Sequence, residues 1–433
     1  MNHRNLELPE VGALARQPIP ATLSLERSTS SLGLAAGCFF SVRTIFVLVS
    51  ARWLDGGTQP GVFTTFAIAV ILMMAVCLNA FGSGSKPVGW MWNLATFRGV
   101  AAYLAFSGCS LLWSATVSRI GSGLYWGALV LDVAIVCLVC RGAGIVRGVH
   151  SIMRGFIAGS CLLAAVAWLM PAAEDLRLGN LDYFNTNQIG NLCALSVLLC
   201  CVLESRNDGR WRIPSAFLTL TLFRSLSKTT LVAFLVAQGY RLLRDAGLSR
   251  RKKLLIILGT VVLVVSFWGL IDAYYGVYTT SGDQAETLTG RTAIWAWTLN
   301  AAVDKPVVGN GIDAMWKVAP PFGGEMFEAR HAENELLQQF FAYGAIGVAM
   351  LAAIYGALWG SFRRVADRSE RAAFMALLLF VLVRGFAEAE PFDLLLPLWM
   401  ITAVSLLLGA SLRRIQQNAR PETELRILVN CAD

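Results

Sequence analysis

Charge is what this chain has least of. Only 15% of its 433 residues are Asp, Glu, Lys or Arg, while 56% are hydrophobic; soluble domains carry roughly 25% charged residues. That deficit excludes a soluble globular protein. Histidine is rarer still, with three in all. No group of His, Cys or carboxylate residues shows metal-ligand spacing, so neither a metal centre nor another cofactor is expected. Of the ten cysteines, nine lie in apolar runs and Cys431 lies in the tail, which excludes a disulfide framework outside the membrane. The C-x-x-C of Cys137 and Cys140 sits on an apolar stretch without a basic neighbour and reads as packing. Residues 1–31 contain Arg4, Glu7, Glu10, Arg16, Glu26 and Arg27 and no apolar core of a leader, so the first spanning helix is expected to direct its own insertion. No internal repeat is visible, whereas secondary transporters are often built from related halves.

What the chain has in abundance is long apolar runs. They recur near 32–50, 61–82, 96–114, 120–140, 149–170, 188–203, 213–226, 229–244, 254–272, 336–358, 372–387 and 392–411. Most are long enough to cross a hydrocarbon core of about 30 Å as a helix. The expected fold is therefore all-α and polytopic, with about twelve transmembrane helices and one large extracytoplasmic loop between spans nine and ten.

Basic residues orient the spans. The loops at one side carry Arg141 and Arg147, then Arg206, Arg210 and Arg212, then Arg241, Arg244 and the run Arg250 to Lys253, then Arg363, Arg364, Arg368 and Arg371. The alternate short loops carry little beyond Arg52, Arg119 and Arg177. The positive-inside rule places both termini in the cytoplasm. The expected organisation is a cytoplasmic segment at 1–31, spans one to nine at 32–272, a periplasmic loop with interfacial helices at 273–335, spans ten to twelve at 336–411 and a cytoplasmic tail at 412–433. A net charge of +8 follows from this asymmetry and suits anionic membrane lipid. No soluble basic domain with interleaved aromatics is present for nucleic acid.

Polar groups then collect on the outer side. The turn at 222–231 brings Arg224, Ser225, Ser227 and Lys228 to a surface where cations are disfavoured; they either hold an anion or snorkel to headgroups. Asn185 and Asn187 precede a span and can cap it, leaving backbone N–H groups to face an anion. Arg291 opens an amphipathic stretch containing Ile294, Trp295, Trp297 and Leu299, which ends at a Gly-bearing turn in "KPVVGNG". In "RHAENELLQQFF", residues 330–341, His331, Asn334 and Gln338 fall at i, i+3 and i+7, which predicts one helix face, with Arg330 and Glu333 beside them. Imidazole is the side chain suited to general-base work near neutral pH. Cations from three segments and a base from a fourth point to a site that holds a diphosphate-like anion and activates a hydroxyl. Arg43, near mid-span in the first helix, either reaches that site or braces helices.

"NTNQIGN" at 185–191, "SLSKTTL" at 225–231, "GRTAIWAWTLNAAVDKPVVGNGI" at 290–312 and "HAENELLQQFFAYGAIG" at 331–347 resemble the successive signatures of the O-antigen ligase and polymerase superfamily. The resemblance implies an inverting glycosyltransferase of the bacterial inner membrane that uses no nucleotide sugar and no metal. Its donor would be a glycan on undecaprenyl diphosphate and its acceptor a hydroxyl at the periplasmic face, in the ligase branch a sugar of lipid A-core. Asn185, Arg224, Lys228 and Arg291 would bind the donor diphosphate, with Arg43, Arg330, Asn334 and Gln338 in support. Lys228 stands where the family has Arg. Counting back from Gly344 puts Glu333 where the family has its His, with His331 two residues early; the base is His331 or Glu333. A polymerase or a protein O-oligosaccharyltransferase would share these motifs, and a glycan flippase would use the same cations without catalysis.

Overall fold

A computed structural model describes residues 21–53, 59–82, 89–170, 176–179, 184–209, 211–270, 272–273, 288–322 and 328–413. Most of the N-terminal segment, Lys86, part of the long loop and nearly all of the tail lie outside them. Among the described residues the chain is helical: α1 Ala21–Trp53, α2 Gln59–Gly82, α3 Ala95–Ser110, α4 Arg119–Ala143, α5 Ile145–Leu169, α6 Thr186–Ser205, α7 Arg212–Ser225, α8 Lys228–Arg244, α9 Arg250–Ser266, α10 Leu288–Val303, α11 Glu335–Arg363, α12 Arg368–Arg384 and α13 Leu398–Arg413. The starts follow local chemistry. Ser118, Asn185, Ser249, Asn334 and Asp367 each cap the helix after them by accepting a backbone N–H.

Among the described residues, six helices are long and apolar enough to cross a membrane, namely α1, α2, α4, α5, α6 and α11. The other helices of the bundle have 14 to 17 residues, so at 1.5 Å per residue they reach only about 21 to 26 Å. A twelve-span crossing therefore stays a matter of sequence pattern. α6 is the central helix, with 83% of its apolar stretch buried, and α2 is peripheral at 17%.

The closest helix pair is α1 with α5. A Cβ on Gly37 would lie 1.9 Å from the Ile152 carbonyl oxygen, and one on Gly155 would lie 2.0 Å from that of Leu34. Gly33, Gly37 and Ser41 thus form a small-residue ridge set against Ser151, Gly155 and Gly159, the spacing that lets helices approach without a hydrophobic driving force.

The loop after α10 is built into the bundle. α11 breaks at Gly344, where φ is 64° and ψ is −157°, and residues 306–311 fill the gap. The amides of Asn310 and Gly311 donate to the carbonyls of Phe341 and Ala342 at 2.9 and 2.8 Å, and the Ala345 amide donates to Pro306 at 2.8 Å. Broken backbone at membrane depth needs such protein partners. Only glycine fits at the crossing, because a Cβ on Gly344 would meet the Val307 carbonyl carbon at 2.3 Å and its positive φ disfavours side chains. Ser114 Oγ donates to the Ile312 carbonyl at 2.5 Å and the Ala115 amide to Asn310 at 3.0 Å, tying the same segment to the α3–α4 connection.

Two expected boundaries move. α12 stops at Arg384 and α13 starts at Leu398, so residues 385–397 are not the flanks of two spans but a non-helical segment. Asp393 explains the late start: its Oδ1 accepts the amides of Leu394 and Leu398 at 2.7 and 3.1 Å. That segment carries Glu388, Glu390 and Asp393 to the end of the bundle where α10 lies, here called the loop end. The opposite end, bearing the arginines of the α6–α7 and α11–α12 connections, is the basic end.

Candidate active site

The site begins at the start of α11. Asn334 is the N-cap, its Oδ1 accepting the Leu337 amide at 2.9 Å while its Nδ2 donates to the Phe386 carbonyl at 3.0 Å. The helix therefore begins at Glu335, and His331 does not share a helical face with Asn334 and Gln338; the i, i+3, i+7 reading fails because the cap ends the periodicity. Gln338 is 4% exposed, and its Oε1 accepts the Ala332 amide at 2.9 Å, which holds the 331–334 turn in place. Glu333 takes up a left-handed φ of 50°, uncommon for a residue other than glycine and often found at functional sites.

That turn swings His331 and Glu333 toward each other. His331 Nδ1 lies 3.7 Å from Glu333 Oε1 and 3.3 Å from the Glu333 amide nitrogen. A proton on Nδ1 suits the carboxylate, and a lone pair suits the amide. Burial pushes the His331 imidazole below its ordinary value, while Glu388 and Glu390 pull it up and Arg384 and Arg291 add to the lowering. Neutral imidazole is the favoured form at neutral pH.

Arg291, on the first turns of α10, faces two carboxylates. Its Nη2 is 3.6 Å from Glu333 Oε2 and 3.6 Å from Glu388 Oε1. Both separations exceed hydrogen-bonding distance, so the guanidinium is attracted by two partners and saturated by neither. α10 itself is anchored through Ile294, 1% exposed, and through Trp297, whose ring lies 5.8 Å from that of Phe341 and 6.2 Å from that of Phe322. The Trp295 indole donates to the Glu333 carbonyl at 3.3 Å. The amphipathic helix expected to lie in the membrane interface is thus packed against α11, with Leu299, 49% exposed, on its open side.

Glu388 is the hub that joins these groups to the rest. It is 3% exposed. Its Oε1 accepts Asn187 Nδ2 at 2.9 Å and Thr229 Oγ1 at 3.0 Å, and Arg384 Nη2 stands 3.7 Å from its Oε2. Asn187 in turn accepts the Ser227 hydroxyl at 2.8 Å. Four distant segments therefore meet: the start of α6, the α7–α8 turn, the start of α10 and the 385–390 segment. In the sequence, Glu388 stands four residues after Arg384, which offers an ion pair or a contribution to the site, and nothing local names Asn187 or Thr229 as its contacts. A signal was present, since two glutamates at a helix end beside an arginine-rich outer face require cationic company.

The other expected residues take varied places. Arg224 is half-buried, and its Nη1 donates to the Leu176 carbonyl at 2.7 Å; among the described residues it has no carboxylate partner. Lys228 is exposed at the first residue of α8. Asn185 is exposed and caps α6 through the Asn187 amide at 2.8 Å. The Thr186 hydroxyl donates to the Ser225 carbonyl at 2.5 Å, which joins that cap to the α7–α8 turn. Arg43 bonds Asp132 at 2.9 Å and so braces α1 against α4. Arg330 is exposed, its guanidinium 5.7 Å from the Trp316 ring centre. An apolar hollow of about 420 Å³ adjoins Asn334, lined by Trp295, Leu299, Leu336, Leu337, Phe340 and Val348.

Chemically, the arrangement offers an unsaturated guanidinium, a neutral imidazole beside a carboxylate, and an apolar wall. Residues 213–352, from α7 through the break in α11, match the family model described as O-Antigen ligase. The chain is also 24% identical over 382 residues to the exopolysaccharide production protein ExoQ of Rhizobium meliloti (strain 1021), an alignment covering 77% of this chain and 85% of that protein.

Proposed function

We propose, for a chain that belongs to the O-antigen ligase and polymerase superfamily, that it transfers a glycan from a polyprenyl diphosphate to a sugar hydroxyl at the loop end, which faces the periplasm. The observation that carries this reading is the meeting of Arg291, Glu333, His331 and Glu388 from segments far apart in sequence. With undecaprenyl diphosphate as donor, the first isoprene units lie along the apolar hollow beside Asn334. The diphosphate displaces the two long carboxylate contacts of Arg291, which then binds it in bidentate fashion. Arg224 and Lys228, across the α7–α8 turn, reach the same anion, and the capped start of α6 at Asn185 adds backbone donors.

His331 acts as general base through Nε2. At rest Nδ1 accepts the Glu333 amide, which leaves the ring proton on Nε2. Donor binding shifts the ring to the Nδ1–H tautomer, whose proton turns to the Glu333 carboxylate 3.7 Å away, freeing Nε2 and stabilising the imidazolium that forms. His331 and Glu333 are thus partners in one device. The acceptor oxygen loses its proton to Nε2 as it attacks the anomeric carbon, and the bond to the diphosphate oxygen breaks with inversion. Arg291 neutralises the charge growing on the departing diphosphate, the kind of preorganised contact that acts mainly on the transition state. No step calls on a metal or cofactor.

The ligase reading takes lipid A-core as acceptor. A polymerase reading, in which the acceptor is another carrier-linked chain, draws support from the likeness to an exopolysaccharide production protein along most of its length. Reconstituted protein given undecaprenyl-diphosphate glycan with lipid A-core or with carrier-linked repeats alone separates the two. Ligation yields glycosylated lipid A-core, polymerisation yields longer carrier-linked chains, and formation of neither overturns the transferase.

A further inference from the structure

An acceptor hydroxyl arrives on a sugar, and a sugar has an apolar C–H face and a polar rim. Next to the His331 turn, the bundle presents surfaces matched to both. Tyr125 of α4 and Phe392 of the 385–397 segment stack with ring centroids 4.0 Å apart and planes 13° from parallel. Tyr125 is 38% exposed. A tyrosine in a membrane belt turns its hydroxyl toward lipid headgroups, but the hydroxyl of Tyr125 has Asp313 and Arg330 as its electrostatic neighbours. Both belong to the polypeptide that covers the loop end.

Asp313 is held in a fixed pose. It adopts a left-handed φ of 56°, and its Oδ2 accepts Ser122 Oγ at 2.8 Å and Thr116 Oγ1 at 3.3 Å. Both bonds fall on one oxygen, so among the described residues Oδ1 is the acceptor left for a ligand. Arg330 directly precedes His331, and Phe392 follows Glu390, whose carboxyl is an electrostatic neighbour of His331. The ring pair is thereby tied along the chain to the residues beside the imidazole, through Arg330 next to His331 and through Glu390 two residues before Phe392.

We propose that Tyr125, backed by Phe392 and flanked by Asp313 and Arg330, seats the sugar ring of the acceptor glycan. The ring lies on the aromatic face, Asp313 Oδ1 accepts one of its hydroxyls, and Arg330 donates to another. This inference rests on the transferase reading for the identity of its ligand. It assigns α4, which lies outside the family-matched stretch of 213–352, a share in choosing the acceptor.

The test is binding without turnover. Oligosaccharide is released by mild acid from the producing cell's own acceptor, core from its lipid A-core for the ligase reading and repeats from its carrier-linked glycan for the polymerase reading. It is titrated into the purified full-length protein in nanodiscs and followed by saturation-transfer NMR, with geranyl diphosphate as a second probe. Wild-type protein is expected to bind the oligosaccharide. Tyr125→Phe should bind within about twofold of it, and Tyr125→Leu and Phe392→Leu about tenfold more weakly, as loss of an aromatic face implies. Asp313→Asn, which keeps an acceptor oxygen but loses the charge, should weaken binding about threefold. Geranyl diphosphate should bind all four variants as it binds wild type, which excludes misfolding. Equal oligosaccharide affinity in wild type and both leucine variants overturns the proposal, as does wild-type protein that binds none. Failure of the transferase reading appears separately, as wild-type protein that binds the oligosaccharide and transfers nothing.

Discussion

The two ends of the bundle both gather buried charge, yet they do so in opposite ways. At the basic end, most buried charges are closed by short contacts. Arg206 Nε lies 2.8 Å from Glu370 Oε1 while its Nη2 donates to Ser411 at 2.8 Å, His150 lies 2.6 Å from Asp208, and Asp245, whose ion pair with Arg241 is long at 3.7 Å, accepts the Ser369 hydroxyl at 2.6 Å. At the loop end, Arg291, Arg384, Glu333, Glu388 and Glu390 are held 3.6 to 4.0 Å apart. Short closed pairs hold helices together and leave no capacity for a further partner. Long shared contacts leave donors and acceptors unspent, which is what a site must keep for its ligand.

Mutations should separate the ends accordingly. Arg291→Ala is expected to lower transfer about a hundredfold or more with normal expression and an unchanged melting temperature in detergent; normal glycan product in cells carrying only this variant removes Arg291 from the mechanism. His331→Ala should cost about a hundredfold in turnover, and Glu333→Gln about tenfold, since it removes an orienting partner and not the base. Equal losses in these two variants would instead point to Glu333 as the proton acceptor.

At the basic end the sign reverses. Glu370→Gln leaves Arg206 without its charged partner and should reduce stability by about 2 kcal/mol, while the surviving folded protein turns over as wild type. Thermal melting paired with activity per folded molecule reads both effects. Lys228→Arg, which restores the residue type implied by the family resemblance, should change the donor KM by no more than about threefold, the smallest effect in the set.

The pH dependence sharpens the contrast further. The base works when neutral, and burial holds His331 below its ordinary value of 6.5, so kcat/KM should be flat through neutral pH and fall only below 6.5. Glu390 raises the imidazole, so Glu390→Gln should move the acid limb to still lower pH. A limb that moves upward, or does not move, dissociates Glu390 from His331.

How far these features were legible in the sequence varied with their range. The Asn185 cap and the glycine turn at 309–311 are local events, decided by a few neighbouring residues, and the chain announces them. His331 was placed on a helix because spacing alone does not reveal that the Asn334 cap starts the helix only at Glu335. Glu388 was hard to find as a hub because its partners Asn187, Thr229 and Arg291 lie 97 or more residues away, and only packing brings them together. Arg43 illustrates the same limit: a mid-span arginine demands a partner, but nothing local names Asp132.

The sequence by itself determined that this is a helical, multi-pass membrane protein, because water and hydrocarbon sort residues by composition without reference to their neighbours. Tertiary structure alone decided that His331 and Glu333 lie together and that Glu388 gathers Arg291, Asn187 and Thr229. It also decided that the Pro306–Gly311 segment completes α11 at Gly344. Those are matters of distance between segments remote in the chain, and distance is set by packing.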